Sequence, residues 1–224
     1  MKITEHIGHV KAIDGSCGVV YSETYNDEYY FKIDKNNKNF KVSEKVVFLL
    51  GMDKFGIEEN AYALRRVYIN SKGINIYSRV NSEHIHLNID NFLPDIIDKI
   101  NNANDDIVEI EYEYSENIGH SSCVEVDEND NIIYAIRNGR NNHTKFVLNR
   151  KKEACNSLFA VFKRTEYGYL ILTIFIGKKA GREPWDRFAT DADKRFWINH
   201  ALVYESNDII KGSVLSKCPW NNVK

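Results

Sequence analysis

The cadence of the first seventy residues most constrains the fold. Between residues 8 and 70, short β-type runs alternate with turn residues. The runs are GHVKAI, CGVVYSE, YYFKID, KVVFLLG and AYALRRVYI, separated by Gly, Asn and Asp. β-Branched and aromatic side chains suit a pleated, half-buried surface, and closely spaced turn residues fold the chain back on itself. Residues 1–70 are therefore expected to form a small β-barrel or sandwich, with NKN and DKF-G as turn sites. The whole chain has 224 residues, 43% of them hydrophobic, which suffices for one large domain or two modest ones.

The pattern changes after residue 70. Residues 71–104 read as a connector. Its first part, SKGINIYSRVNSEHIHL, is strand-rich, and on a strand His84 and His86 share one face. Two such histidines can hold a metal, but the sequence supplies no third ligand, so neither metal nor cofactor is expected. Residues 88–103 read as an amphipathic helix. Asn88 or Asp90 caps it, Phe92, Ile96, Ile97 and Ile100 fall at helical spacing, and Asn101, Asn102 and Asn104 end it.

Residues 105–224 read as an α+β domain. VEIEYEY at 108–114 alternates strictly, with Val108, Ile110, Tyr112 and Tyr114 on one face and acids on the other. A hairpin is expected around 127–131, and a turn at 138–142 leading into a strand at 143–148. A second hairpin joins 158–164 to 167–177. Its LILTIF run reads as a buried central strand. A short helix at 191–200 and a last strand, ALVYES, complete the set. The expected fold class is α+β: a small N-terminal β-barrel followed by a C-terminal antiparallel sheet of four or five strands with few helices.

The net charge of −2 is an average over unlike regions. Residues 1–70 carry ten Lys and Arg against ten Asp and Glu, and residues 71–118 carry three against ten. Residues 119–224 carry seventeen against twelve, and within them 136–197 carry fourteen against six. A neutral total thus holds a basic stretch, and local charge is what attracts phosphate. The acidic middle suggests an electrostatic cover over that basic stretch, beside the plainer reading of a solvated face.

MKITEHIGHV lacks the apolar run of a signal peptide, and no segment approaches the roughly 18 consecutive apolar residues of a membrane span. Cys17, Cys123, Cys155 and Cys218 show no CxxC spacing. They read as reduced thiols of a cytoplasmic protein.

The N-terminal motifs resemble those of the cold-shock or S1-type OB-fold family. They are Gly8-His-Val10-Lys11, Gly15-x-x-Gly18-Val19-Val20, Tyr29-Tyr30-Phe31, Val46-Val47-Phe48 and Ala61. The resemblance covers about 60 residues. It implies a small barrel that binds RNA, with Tyr29, Tyr30 and Phe31 as nucleic-acid-binding residues and Tyr21 as a further ring. Val19 and Val20 stand where the family's stacking aromatics are expected, and such rings supply much of the single-strand affinity.

The basic stretch gathers the residues suited to chemistry on RNA. Metal-independent cleavage needs a general base, a general acid, and cations at the developing phosphorane charge. Histidine titrates near neutrality, and Lys and Arg hold phosphate. His143, His120, Lys145 and His200 are the catalytic candidates. On a strand His143 and Lys145 share a face, with Thr144 opposite. Arg140, Lys178, Lys179, Arg182 and Trp185 are the nucleic-acid-binding candidates, several of them in the loop-like GKKAGREPWD. The segment from Glu125 to Tyr204 loosely resembles small ribonucleases of bacterial toxin systems, of the RelE, colicin and EndoU type. That resemblance rests on Gly139-Arg140, His143-Thr144-Lys145-Phe146-Val147, Gly177-Lys178-Lys179, Pro184-Trp185-Asp186 and Phe196-Trp197-x-x-His200.

It implies an endoribonuclease, a toxin or phage-defence effector, with RNA as substrate and an antitoxin as a protein partner. The alternatives are a non-catalytic RNA-binding regulator and a protein–protein module. GxSxG, HExxH and Walker A motifs are absent from the sequence.

Overall fold

The computed structural model describes residues 4–33, 39–52, 58–78, 91–100 and 105–220. His84, His86, the helix caps Asn88 and Asp90, and all or part of the two N-terminal turn sites lie outside them. The chain divides into two compact units. One comprises Met1–Ile110 and Ala160–Phe175, the other Glu111–Phe159 and Ile176–Lys224.

The first unit is built on β1 (Glu5–Asp14), β2 (Cys17–Ser22), β3 (Asp27–Lys32), β4 (Lys45–Met52), β5 (Glu59–Ile69) and β6 (Asn75–Ser78). β1 pairs antiparallel with β2 on one side and with β4 on the other. β2 pairs with β3, and β4 with β5. The spatial order β4-β1-β2-β3 is a Greek key, in which the fourth strand returns to lie beside the first. Bulges between Val10 and Ala12 and between Val47 and Leu49 add the bend that coils such a sheet.

Period-2 alternation turns one side chain in two toward a common core. Val10, Val20, Phe31, Val46, Phe48, Ala61 and Leu64 meet there, with Tyr29 packed against them. Gly8 lies where two backbones nearly touch, and a Cβ on it would stand 1.9 Å from the Tyr21 carbonyl oxygen. Gly18 leaves room in the same way for the Phe31 ring, whose Cζ would be 2.3 Å from an added Cβ.

The expected closed barrel is not what forms. β3 comes near β5, yet the hydrogen-bonded order β3-β2-β1-β4-β5-β6 runs on into three further strands as an open sheet. β5 uses its free edge on β6 instead of β3. β6 then pairs in parallel with β14 (Gly168–Ile176), the return strand of the hairpin begun by β13 (Ser157–Thr165). β7 (Ile107–Glu113) follows at the far edge. The 158–177 hairpin therefore forms as read, but residues 160–175 of it belong to the first unit. β7 keeps its expected alternation, with Glu109, Glu111 and Glu113 exposed and Ile110 buried. The expected long helix is short in the described residues: α1 spans Leu93–Ile97 and buries Leu93, Ile96 and Ile97.

The second unit holds a four-stranded sheet and a two-stranded one. β9 (Cys123–Glu125), β10 (Ile132–Ile136), β11 (His143–Val147) and β15 (His200–Val203) make the first, in the order β10-β11-β15-β9. β8 (Gly119–Ser121) and β12 (Glu153–Cys155) make the second. The turn at 127–131 joins β9 to β10, but these lie at opposite edges and form no hairpin. β15 enters between β11 and β9, parallel to β11 and antiparallel to β9. The sheet is therefore mixed, not antiparallel throughout. α2 (Asp191–Asn199) delivers β15 in that direction. It starts with a reciprocal capping box between Thr190 and Asp193.

His6 gives the first unit a sensitivity to acid. It is 4% exposed, packs against Tyr25 and Phe48, and its Nδ1 has no hydrogen-bond partner among the described residues. Burial lowers its pKa below the ordinary 6.5, against a smaller opposing effect of the Glu59 charge. The unfolded chain therefore binds this proton more readily than the fold does. Stability from neutral His6 is full above the unfolded value and is lost as pH falls through the folded one. Urea unfolding of wild type and His6→Phe between pH 7 and pH 5 checks this. The wild type should lose more stability over that interval, and equal losses would show that His6 is not responsible.

Candidate nucleic-acid interface

Strand pairing decides which aromatic rings reach solvent. On β2, Val20 points inward, so Val19 and Tyr21 point out. On β3, Tyr29 sits opposite Val20 and Phe31 opposite Gly18, so both face the core, and Phe31 is 3% exposed. Tyr30 sits opposite Val19 and is 64% exposed. On β1, His9 pairs with Tyr21, their ring centroids 5.2 Å apart, and Ala12 pairs with Val19. The outer face thus carries Tyr30, Tyr21 and His9 around the small apolar surface of Val19 and Ala12. Lys11 pairs with Glu28 beside them, and Lys32 is exposed. The Tyr21 hydroxyl donates to Asn26 Oδ1, which orients its ring.

Of the three expected aromatic binders, the structure turns only Tyr30 outward. Phe31 is core, and Tyr29 is packed against the core, because side chains on a strand alternate. His9 was not among the expected site residues. Its signal was its position, next to Gly8 and one residue before the inward Val10.

The second unit distributes the four catalytic candidates. His143 and Lys145 do share a face of β11, as the spacing requires, and Tyr134 sits directly across from Lys145 on the same face. His200 begins β15 on the opposite side from the buried Ala201 and Val203. Val147 packs with those two and lies on the His143 side of β11, so His200 belongs to the other face. His120 is exposed on β8, in the separate two-stranded sheet. The four do not meet on one surface.

Their partners are informative. Lys145 is 7% exposed, and its ammonium donates to the Trp197 and Ile198 carbonyls at 3.0 and 2.7 Å. It satisfies the carbonyl end of α2, where cations are favoured. Burial lowers its pKa, against a smaller raising effect of Cys218. The charge of Lys145, a catalytic candidate by sequence, thus points into the fold. His143 Nε2 donates to the Ser213 carbonyl at 3.0 Å. His200 stacks on Phe196 with centroids 3.9 Å apart, and its Nδ1 donates to the Phe196 carbonyl at 2.9 Å. Tyr134 packs edge-on against Trp220, and burial raises its pKa.

The remaining expected phosphate binders are exposed. Arg140 follows the turn after β10, and Lys178 pairs with Glu113 at 3.2 Å. Lys179 donates its backbone N–H to Glu111. Arg182 lies 5.6 Å from the Phe188 ring centroid, and Trp185 is 37% exposed with its indole N–H on Glu183. Among the described residues no group of three His, Cys, Asp or Glu is placed to hold a metal ion. Nor is any helix there long and apolar enough to cross a membrane.

These features define a mostly β protein with open sheets, few helices and one outward aromatic face. No family model matches the chain, and no curated protein matches it. Among solved structures it is similar to one titled drosophila Unr CSD456, at 8% sequence identity and a TM-score of 0.26. The match covers 79% of this chain and 63% of that one, so the chain spans less than two thirds of that structure's length. A TM-score of 0.26 does not establish a common fold.

The role of Lys145 is testable by stability. Lys145→Met leaves two carbonyls at the end of α2 without their donor and should cost about 1–3 kcal/mol. His120→Ala, on an exposed edge, should stay within about 0.5 kcal/mol of wild type. Thermal unfolding measures both, and an unchanged midpoint in Lys145→Met would contradict the capping role.

Proposed function

We propose that the protein binds single-stranded RNA on the outer face of β1, β2 and β3. The observation that carries this reading is Tyr30, 64% exposed on the same face as Tyr21 and His9. Every base offers a π-face, so exposed rings bind single strands with little sequence preference. Lys32 is exposed on β3, and Lys11 would exchange its Glu28 partner for a phosphate oxygen. The Greek-key order of β1 to β4 supports the reading, because OB-type modules that bind oligonucleotides are partly open five-stranded Greek-key barrels. The resemblance to cold-shock sequences points the same way.

A labelled oligouridylate titrated at fixed salt tests it. Tyr30→Ala should weaken binding about 5- to 100-fold, the loss of one stacked base. Affinity should also fall as salt rises, because phosphate contacts release counterions. Equal affinity in wild type and Tyr30→Ala would end this reading.

A second reading is a metal-independent ribonuclease, a toxin or phage-defence effector held by a partner such as an antitoxin. It is favoured by His143 and Tyr134 on one face of the sheet. Total RNA incubated with the protein in EDTA checks it. Cleavage that disappears in His143→Ala while binding persists is the expected result. Binding without cleavage under any metal condition would eliminate it.

A further inference from the structure

From the loop before α2, we infer a second single-strand contact, in which one nucleobase stacks on Phe188 while Arg182 and Arg187 hold the adjoining phosphates. The inference rests on the RNA-binding reading above and extends it to the other unit. Phe188 is 59% exposed, yet two guanidinium groups lie at its ring, Arg187 at 4.5 Å and Arg182 at 5.6 Å from the centroid. An exposed ring flanked by cations offers a base a stacking face and its phosphates a charge-assisted grip.

The loop is built to present that ring. The Phe188 N–H donates to Asp186 Oδ1 at 2.8 Å, and the Asp186 and Ala189 N–H groups donate to the Glu183 and Asp186 carbonyls at 2.8 and 2.9 Å. The Arg182 N–H donates to Asp193 Oδ1 at 3.0 Å, and the Trp197 indole holds the Gly181 carbonyl at 2.7 Å. A loop fixed in this way loses little freedom when a ligand arrives.

The acids around it are already engaged. Glu183 accepts from Arg137, Thr144 and Trp185, and Asp193 belongs to the capping box of α2. Among the described residues no ion pair within 4.0 Å holds the guanidinium of Arg182 or Arg187, while hydrogen bonds from Thr190, with a lesser contribution from Arg182, hold Asp193 below the usual carboxylate range. Both remain available to an incoming anion. Arginine suits this place better than lysine, since its flat fork both stacks on rings and binds phosphate bidentately.

Photo-crosslinking of the full chain to an oligouridylate carrying 5-iodouridine, followed by peptide mass spectrometry, tests the inference beside affinity measurements. The expected result is crosslinked peptides at both Tyr30 and Phe188. Phe188→Ala should weaken binding about 5-fold or more, Phe188→Trp should retain it, and Arg187→Ala should weaken it with a shallower salt dependence. Circular dichroism of each variant confirms that it is folded. Crosslinks at Tyr30 alone, with Phe188→Ala binding as wild type, would overturn the second contact and leave the first standing. Crosslinks at Phe188 alone would uphold it and remove the first. No binding by wild type would overturn both.

Discussion

The close passage of β1 over β2 at Gly8 is the constraint on which the N-terminal unit depends. A Cβ there would stand 1.9 Å from the Tyr21 carbonyl oxygen, so only glycine lets the two backbones meet. The passage holds β2 in register with β1, and β2 in turn sets the register of β3. Register decides which face each aromatic takes, because a slip of one residue would exchange every inward and outward side chain. The exposure of Tyr30 and the burial of Phe31 are thus two consequences of one pairing.

The C-terminal unit is organised by a different contact. Lys145 on β11 reaches the carbonyl end of α2, and α2 runs directly into β15 beside β11. A buried ammonium without such partners would be costly, and helix carbonyls without donors would be too. Each satisfies the other. The same contact takes Lys145 away from solvent, which bears on any chemistry assigned to its face. Arg137, Thr144 and Trp185 converge on Glu183 in a comparable way and tie down the loop that presents Phe188.

Much of this was legible in the sequence. The five N-terminal strands, the alternation of β7, the 158–177 hairpin and the position of α2 follow from local pattern and capping chemistry. The partners of those strands were less legible. Asp127 and Asp130 mark a turn, but nothing local says that β9 pairs with β15 instead of β10. The LILTIF strand was recognised, while its pairing with β6, some ninety residues earlier, is a long-range choice. Alternation separated Tyr30 from Tyr29 and Phe31 without saying which set was buried. Gly18, whose missing side chain accommodates the Phe31 ring, settles that only once the register is known. The i, i+2 spacing of His143 and Lys145 is enough to put them on one face. That the face lies beneath the end of α2, and that His200 lies on the other, depends on the crossover into β15.

The claim that matters most for function is that the outer face of β1, β2 and β3 receives RNA. Side-chain and backbone NMR shifts followed through a titration with a short oligouridylate test it most directly. The largest shifts are expected at His9, Val19, Tyr21 and Tyr30, with the core rings of Phe31 and Phe48 nearly unmoved. Shifts that leave Tyr30 and Tyr21 unchanged while binding saturates would contradict it.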